Sequence, residues 1–121
     1  MRFKFLVLLF NVFISPLLFS GSMPELKIKS SGITRSCFIH IPKGFSNQKT
    51  YPLVFILHGG GGNSLQVAGH SQFNKLADKY GFITAYPQGI NKHWNDGRKV
   101  PKHREQDSKV NDVDFIIKVV E

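Results

Sequence analysis

The residues best suited to chemistry lie in one stretch, His58-Gly59-Gly60-Gly61-Gly62-Asn63. Glycine tolerates positive φ and lets another group approach the backbone closely, so this run can present several backbone N–H groups at one point. Three interpretations compete: a flexible turn, a phosphate-binding loop, and an oxyanion hole that stabilises developing negative charge. A phosphate-binding loop needs Gly-Lys-Ser/Thr at its end, whereas Asn63-Ser64-Leu65 follows here. The oxyanion hole is therefore the favoured interpretation, with the flexible turn as its alternative.

An uncharged apolar run, residues 53–57, leads directly into this glycine loop. Its β-branched and aromatic residues, without alternation, predict a strand buried on both faces of a parallel sheet. In open α/β sheets, ligands bind at the carboxyl ends of the strands. The loop therefore lies where a site is expected.

The neighbouring segments predict the rest of the scaffold. Residues 25–30 and 33–41 alternate in polarity around Ser31-Gly32, which predicts an antiparallel hairpin at a sheet edge. Residues 64–70 predict a loop or a short helical turn. A helix over 72–80 and a buried strand over 82–86 then complete a parallel βαβ unit with a right-handed crossover. The fold class is accordingly α/β.

The last segment predicts a helix that begins after Asn111, whose side chain can cap the N–H of Asp114. The apolar residues that we expect to face the core of the domain share one helical face: Val113, Ile116, Ile117 and Val120. Asp112 is interpreted as an acidic residue of the helix's first turn.

Residues 1–22 have the features of a secretory signal peptide, with Arg2 and Lys4 before an apolar run and small residues at Ser20-Gly21-Ser22. The apolar run, residues 5–19, is shorter than the ~20 residues that span a bilayer. We therefore expect a mature domain over 23–121 that is extracellular or periplasmic, without a stable membrane span. An uncleaved membrane anchor is the alternative.

Charge and metal-binding patterns point away from two further classes of function. The net charge is +8, and many of the basic residues fall between 92 and 109. Aromatic residues are not interleaved there beyond Trp94, so a solvated loop is favoured over a nucleic-acid surface. His70, His93 and His103 fit no metal-ligand spacing, and Cys37 has no partner cysteine. We predict no metal, no cofactor and no nucleic-acid partner.

Several short motifs, in this order and spacing over residues 32–121, resemble the secreted α/β-hydrolase family of polyhydroxybutyrate depolymerases and feruloyl or acetylxylan esterases. They are Tyr51-Pro52-Leu53-Val54 with the glycine loop, Ala85-Tyr86-Pro87-Gln88-Gly89, Trp94-Asn95-Asp96-Gly97-Arg98 and Asn111-Asp112-Val113-Asp114. The resemblance implies an ester substrate and a triad whose serine lies in a Gly-x-Ser-x-Gly elbow. That motif is absent from the 121 residues. The expectation is an N-terminal part of the domain, truncated before the elbow and inactive alone.

The resemblance also assigns roles within the glycine loop. Gly60 is the first choice for the oxyanion N–H and Gly61 the second, with His58, Gly59 and Gly62 supporting the loop. Trp94 either lines an acyl or sugar pocket or is a packed aromatic residue under a long loop. The alternative function is a non-catalytic extracellular polymer-binding module that uses Trp94, Tyr86 and the basic segment.

The signal-peptide prediction is tested by N-terminal sequencing of the exported protein. We expect a mature product that begins close to residue 23, because the small residues Ser20 to Ser22 suit a signal peptidase. A membrane-bound product that still begins at Met1 contradicts the prediction.

Overall fold

Four strands and three helices make up the part of the chain that the computed structural model describes, residues 23–98 and 109–121. In chain order they are β1 (Glu25–Ser30), β2 (Ile33–His40), β3 (Leu53–Phe55), α1 (Ser64–Ser71), α2 (Phe73–Tyr80), β4 (Ile83–Pro87) and α3 (Asp112–Val120). Within these ranges, no helix is both long and apolar enough to cross a membrane. The predicted signal peptide lies outside them.

The strands form one mixed sheet in the order β1-β2-β4-β3. β1 and β2 pair antiparallel around Ser31 and Gly32, whose φ values of 52° and 77° suit the tight hairpin turn. β3 and β4 pair parallel, with α1 and α2 between them in the chain, and β4 pairs antiparallel with β2. The predicted hairpin and parallel pair are both present in this α/β arrangement.

Helices pack against both faces of β4, because successive side chains of a strand point to opposite sides. On one side Ala85 joins Cys37 of β2 and Phe115 of α3 in a fully buried cluster. On the other side the hydroxyls of Thr84 and Tyr86 both donate to the Asn74 side-chain oxygen, at 2.9 and 2.7 Å. Asn74 belongs to α2, so polar side chains fasten that helix to the sheet.

The strand before the glycine loop is shorter and less buried than the sequence predicts. Only Leu53–Phe55 is strand, all three residues are half-buried, and Leu57 is 48% exposed. The physical reason is its place in the sheet: β3 is the end strand of the described sheet and pairs only with β4. The run's apolar composition resembles that of a central strand.

Residues 64–71 form a full helix, α1, where a loop or short turn is predicted. Asn63 caps it, since its side-chain oxygen accepts the Gln66 N–H at 2.9 Å. The apolar periodicity of this segment is weak, but the capping residue directly before it was a usable signal.

Helix α3 begins after Asn111, as predicted, and the Asn111 side chain accepts the Asp114 N–H at 2.9 Å. The predicted inward face is wrong, however. Phe115 is fully buried and Val119 packs beside it, whereas the outward-facing residues are Val113, Ile117 and Val120, at 70%, 52% and 55% exposure. The helix is rotated relative to the prediction.

A buried arginine fixes this rotation. The Arg35 guanidinium, on β2, donates to Asp112 Oδ1 at 2.7 Å and lies 4.2 Å from the centre of the Phe115 ring. Asp112 and Phe115 are three residues apart and so lie on the same side of α3. Arg35 therefore holds that side against the sheet. The pattern of apolar residues alone cannot reveal this ion pair.

The burial of Cys37 leads to a prediction about its reactivity. Desolvation raises the pKa of this thiol to about 12, although a backbone hydrogen bond with Tyr86 opposes the shift. Because the thiolate is the reactive form, we expect almost no reaction of the folded protein with Ellman's reagent at pH 8, and rapid reaction in guanidinium chloride. Equal rates in the two conditions contradict the buried position of Cys37.

Candidate active site

The glycine loop is a β-turn that spans Gly59 to Gly62. The Gly62 N–H donates to the Gly59 carbonyl at 3.0 Å, and Gly61, the third residue of the turn, has φ of +80°. An i to i+3 bond with positive φ at the third position describes a type II turn. Gly61 therefore needs to be glycine for conformational reasons, and Gly60 occupies the second position, where proline is common.

Two of the loop's backbone donors are already engaged. Gly61 donates to the Lys92 carbonyl at 2.9 Å, and Gly62 to Gly59 within the turn. Gly61, the second choice as oxyanion donor from the sequence, is thus occupied in this structure. The Gly60 N–H has no acceptor among the described residues, and Gly60 is exposed. Gly60 is therefore the better placed of the two.

His58, which is 3% exposed, holds the glycine turn through hydrogen bonds of its imidazole ring. The Gly89 N–H donates to its Nε2 at 3.0 Å, so Nε2 is unprotonated and the ring proton is on Nδ1. Nδ1–H then donates to the Gly59 carbonyl at 2.8 Å. Both ring nitrogens are engaged in these bonds. The arrangement supports the predicted structural role for His58 rather than a general-base role.

Gln88 connects the turn to two other elements, and sequence reasoning did not single it out. Its amide nitrogen contacts His58 Nε2 at 3.2 Å and donates to the Gly89 carbonyl at 3.1 Å. Its side-chain oxygen accepts both the N–H and the hydroxyl of Ser64 at 2.9 and 3.0 Å. Ser64 is fully buried, so its hydroxyl is structural and unsuited to serve as a nucleophile.

A second tight turn, Ile90 to His93, contacts the glycine loop. Its central residues Asn91 and Lys92 have φ of 47° and 65°, the pattern of a type I′ turn. Lysine is unusual in this left-handed region, which costs non-glycine residues roughly 1–2 kcal/mol. The turn directs the Lys92 carbonyl to the Gly61 N–H, so this local strain accompanies a contact that fixes the loop.

Gly89 is required for the close approach of these two turns. A Cβ placed there would lie 2.4 Å from the His93 carbonyl oxygen and 3.2 Å from His58 Cε1. Any side chain would therefore push the second turn away from the imidazole. This explains the glycine after Gln88 without any need for positive φ.

Trp94 packs against His58, the residue before the four glycines. Its indole N–H donates to the His58 carbonyl at 2.8 Å. The centres of the Trp94 and His58 rings are 5.0 Å apart, and the ring planes are inclined by 37°. The indole is half-buried, so part of its surface remains available to a ligand.

The carboxylates of Asp96 and Asp112 are engaged with partners outside the glycine loop. Asp96 is exposed, and hydrogen bonds from the Arg98 side chain and backbone lower its pKa. Asp112 binds Arg35 and also accepts the Asn95 N–H at 2.5 Å. In the described ranges, no three His, Cys, Asp or Glu side chains are grouped to hold a metal. His103 lies outside those ranges.

The arrangement offers one chemical capability: a rigid turn that presents an exposed backbone donor at the carboxyl end of a parallel strand. Such a donor stabilises negative charge without reorganising during the reaction. No side chain of the described loop is placed as an activated nucleophile. The geometry of the loop is therefore suited to electrostatic stabilisation and not to bond-making chemistry.

The support from His58 generates a stability prediction. His58→Phe keeps a ring of similar size but leaves the Gly89 N–H without its acceptor. Because an unsatisfied buried polar group costs about 1–3 kcal/mol, we expect the free energy of unfolding to fall by about that amount in urea titrations.

The matched control is His70→Phe, at an exposed histidine near the end of α1, which should change stability by less than about 0.5 kcal/mol. Equal effects at the two positions would show that the His58 bonds do not stabilise the loop.

Comparison with known proteins agrees with this geometry. A family model described as Esterase PHB depolymerase matches residues 35–109, which include both turns. A protein named "Putative esterase NocK" from Nocardia uniformis subsp. tsuyamanensis is 33% identical over 66 residues, 54% of this chain. The chain spans about a fifth of that relative's length, since the match covers 19% of it. By the extent of the family match, the chain belongs to the Esterase PHB depolymerase family.

Proposed function

We propose that this chain is the N-terminal part of a secreted carboxylic ester hydrolase, and that Gly60 supplies one backbone donor of its oxyanion hole. The observation that carries the proposal is that the N–H groups of the glycine turn differ in their hydrogen bonding. Gly61 and Gly62 use their N–H groups to hold the turn, while Gly60 has no acceptor among the described residues. A preorganised donor of this kind acts on charge that develops in the transition state.

The catalytic triad is proposed to lie in sequence beyond these 121 residues. Two facts support this: no Gly-x-Ser-x-Gly occurs here, and the match covers 19% of the relative's length. The free side of β3 also offers a place for a further strand, because β3 pairs only with β4 in the described sheet. A strand added there would end beside the glycine loop and could carry a nucleophile elbow.

The proposed substrate is an ester of a polymer, either a polyester or a plant polysaccharide. The family description and the predicted signal peptide both favour an extracellular or periplasmic polymer. The half-buried Trp94, held against His58, offers an aromatic surface next to the loop. No cofactor is required for this chemistry, since a serine triad acts through proton transfer and covalent catalysis.

The alternative is a non-catalytic polymer-binding module, and the structure weakens its basis. Tyr86, one of its two proposed aromatic contacts, is 0% exposed, and its hydroxyl donates to Asn74. Much of the basic segment, residues 99–108, lies outside the described ranges. Trp94 alone therefore remains as an aromatic contact for that alternative.

The decisive variant is Gly60→Pro in the complete enzyme, made by joining this chain to the C-terminal remainder of an intact family member. Proline removes the N–H yet suits the second position of a type II turn, so the turn should persist. Loss of an oxyanion donor typically lowers kcat by ~10²–10³, and we expect a loss of that size with p-nitrophenyl acetate.

Gly60→Ala is the matched control, because it keeps the N–H and its Cβ would meet only the His93 ring, with Nδ1 at 3.4 Å and Cε1 at 3.7 Å, which are ordinary contact distances. Gly62→Ala is less suitable, since its Cβ would lie 3.2 Å from the Gly59 carbonyl oxygen. We expect Gly60→Ala to lose much less activity than Gly60→Pro, with unchanged circular dichroism for both. Equal, mild losses would show that the loop is only a turn.

A further inference from the structure

Lys92 occupies a backbone position that suits a different residue. It is the second central residue of the turn from Ile90 to His93 and has φ of 65°. Type I′ turns prefer glycine at this position, often after asparagine, and Asn91 does precede it here. The bond from the Gly61 N–H to the Lys92 carbonyl is a backbone contact, so glycine would make it without the strain. The turn itself therefore gives no reason for a lysine side chain.

The ammonium group of this lysine is available to a ligand. Lys92 is exposed, and within the described ranges no carboxylate forms an ion pair with it. By contrast, the Nζ atoms of Lys27, Lys43 and Lys118 lie 2.6, 3.8 and 3.1 Å from carboxylate oxygens. Backbone strain of this kind concentrates at functional sites, so its presence under a charged, exposed side chain indicates a role in binding.

The backbone of Lys92 places this charge beside the proposed oxyanion hole. Its carbonyl accepts the Gly61 N–H at 2.9 Å, and Gly61 directly follows Gly60 in the chain. An ester whose carbonyl oxygen binds the Gly60 N–H therefore lies close to the Lys92 backbone. The flexible four-carbon stem of lysine lets the ammonium reach groups on either side of that ester.

We propose that Lys92 is a specificity-determining residue that favours esters carrying a carboxylate near the bond to be cleaved. The inference rests on the proposed function, because it requires the ester carbonyl to bind at Gly60. The carboxylate belongs either to the acid part of the ester or to its alcohol part, as in an acidic polysaccharide. In both cases the ammonium attracts the anionic ester more strongly than its neutral analogue.

The test compares anionic with neutral esters in the complete enzyme described above. Mono-p-nitrophenyl adipate and p-nitrophenyl hexanoate share a leaving group and an acyl chain length, and they test a carboxylate on the acid side. The 4-acetoxybenzoate anion and its methyl ester test a carboxylate on the alcohol side. The readout is the kcat/KM of the anionic ester divided by that of the neutral one. Because the same pair is measured in parent and variant, differences in intrinsic reactivity cancel.

We expect Lys92→Gln to reduce this ratio roughly twofold to fivefold for at least one pair of esters, the effect of one exposed charge pair. The pair that responds identifies the side of the ester that carries the carboxylate. Lys92→Arg, which keeps the charge, should retain the preference. The preference of the parent enzyme should also weaken in about 0.5 M NaCl, because salt screens exposed charges.

The matched control is Lys49→Gln, which removes the same charge from another exposed lysine. Lys49 lies in the loop before the amino end of β3, whereas the glycine loop follows the carboxyl end of that strand. The control variant should therefore keep the ratio of the parent enzyme for both pairs of esters.

The outcomes separate this inference from the proposed function. An active parent enzyme that depends on Gly60 but has the same ratios as Lys92→Gln overturns the role of Lys92 alone. Equal reductions in Lys92→Gln and Lys49→Gln would reveal a general effect of net charge and also overturn it. A parent enzyme that hydrolyses none of these esters refutes the proposed function, and the role of Lys92 with it.

Discussion

The buried guanidinium of Arg35 is the constraint on which the arrangement of the described elements depends. It binds the Asp112 carboxylate and donates to the Gln88 carbonyl at 3.1 Å, so it joins β2, α3 and the segment after β4. Its side chain is 1% exposed, and removing one partner of such a buried pair typically costs about 3–5 kcal/mol. The orientation of α3 and the course of the chain after β4 therefore share one anchor.

Gln88 connects the buried Arg35 to the glycine loop. Arg35 fixes the backbone of Gln88, and the side chain of Gln88 in turn contacts His58 and holds Ser64. His58 in turn holds the backbone on either side of the proposed donor site, through its hydrogen bonds with Gly59 and Gly89. A loop of four glycines has great freedom in isolation, and this network removes it.

The sequence predicted the hairpin, the parallel strand pair and the last two helices because each has a local signal, such as alternation around Ser31-Gly32 or the Asn111 cap. It misjudged the burial of residues 53–57, since apolar composition does not record a strand's place in the sheet. The inward side of α3 depends on an ion pair 77 residues apart in the chain. Within the site, His58 was predictable as a loop support, but its partners, the Gly89 N–H and the Gly59 carbonyl, were not.

Trp94 is the chain's single tryptophan, and its indole lies against the His58 ring and binds the His58 carbonyl. The tryptophan fluorescence of this protein therefore originates from the support of the glycine loop. Emission wavelength and quenching report the local packing and hydration of that support, while circular dichroism reports the helices and strands. The two spectroscopic signals can thus distinguish a loosened loop from an unfolded sheet without any label.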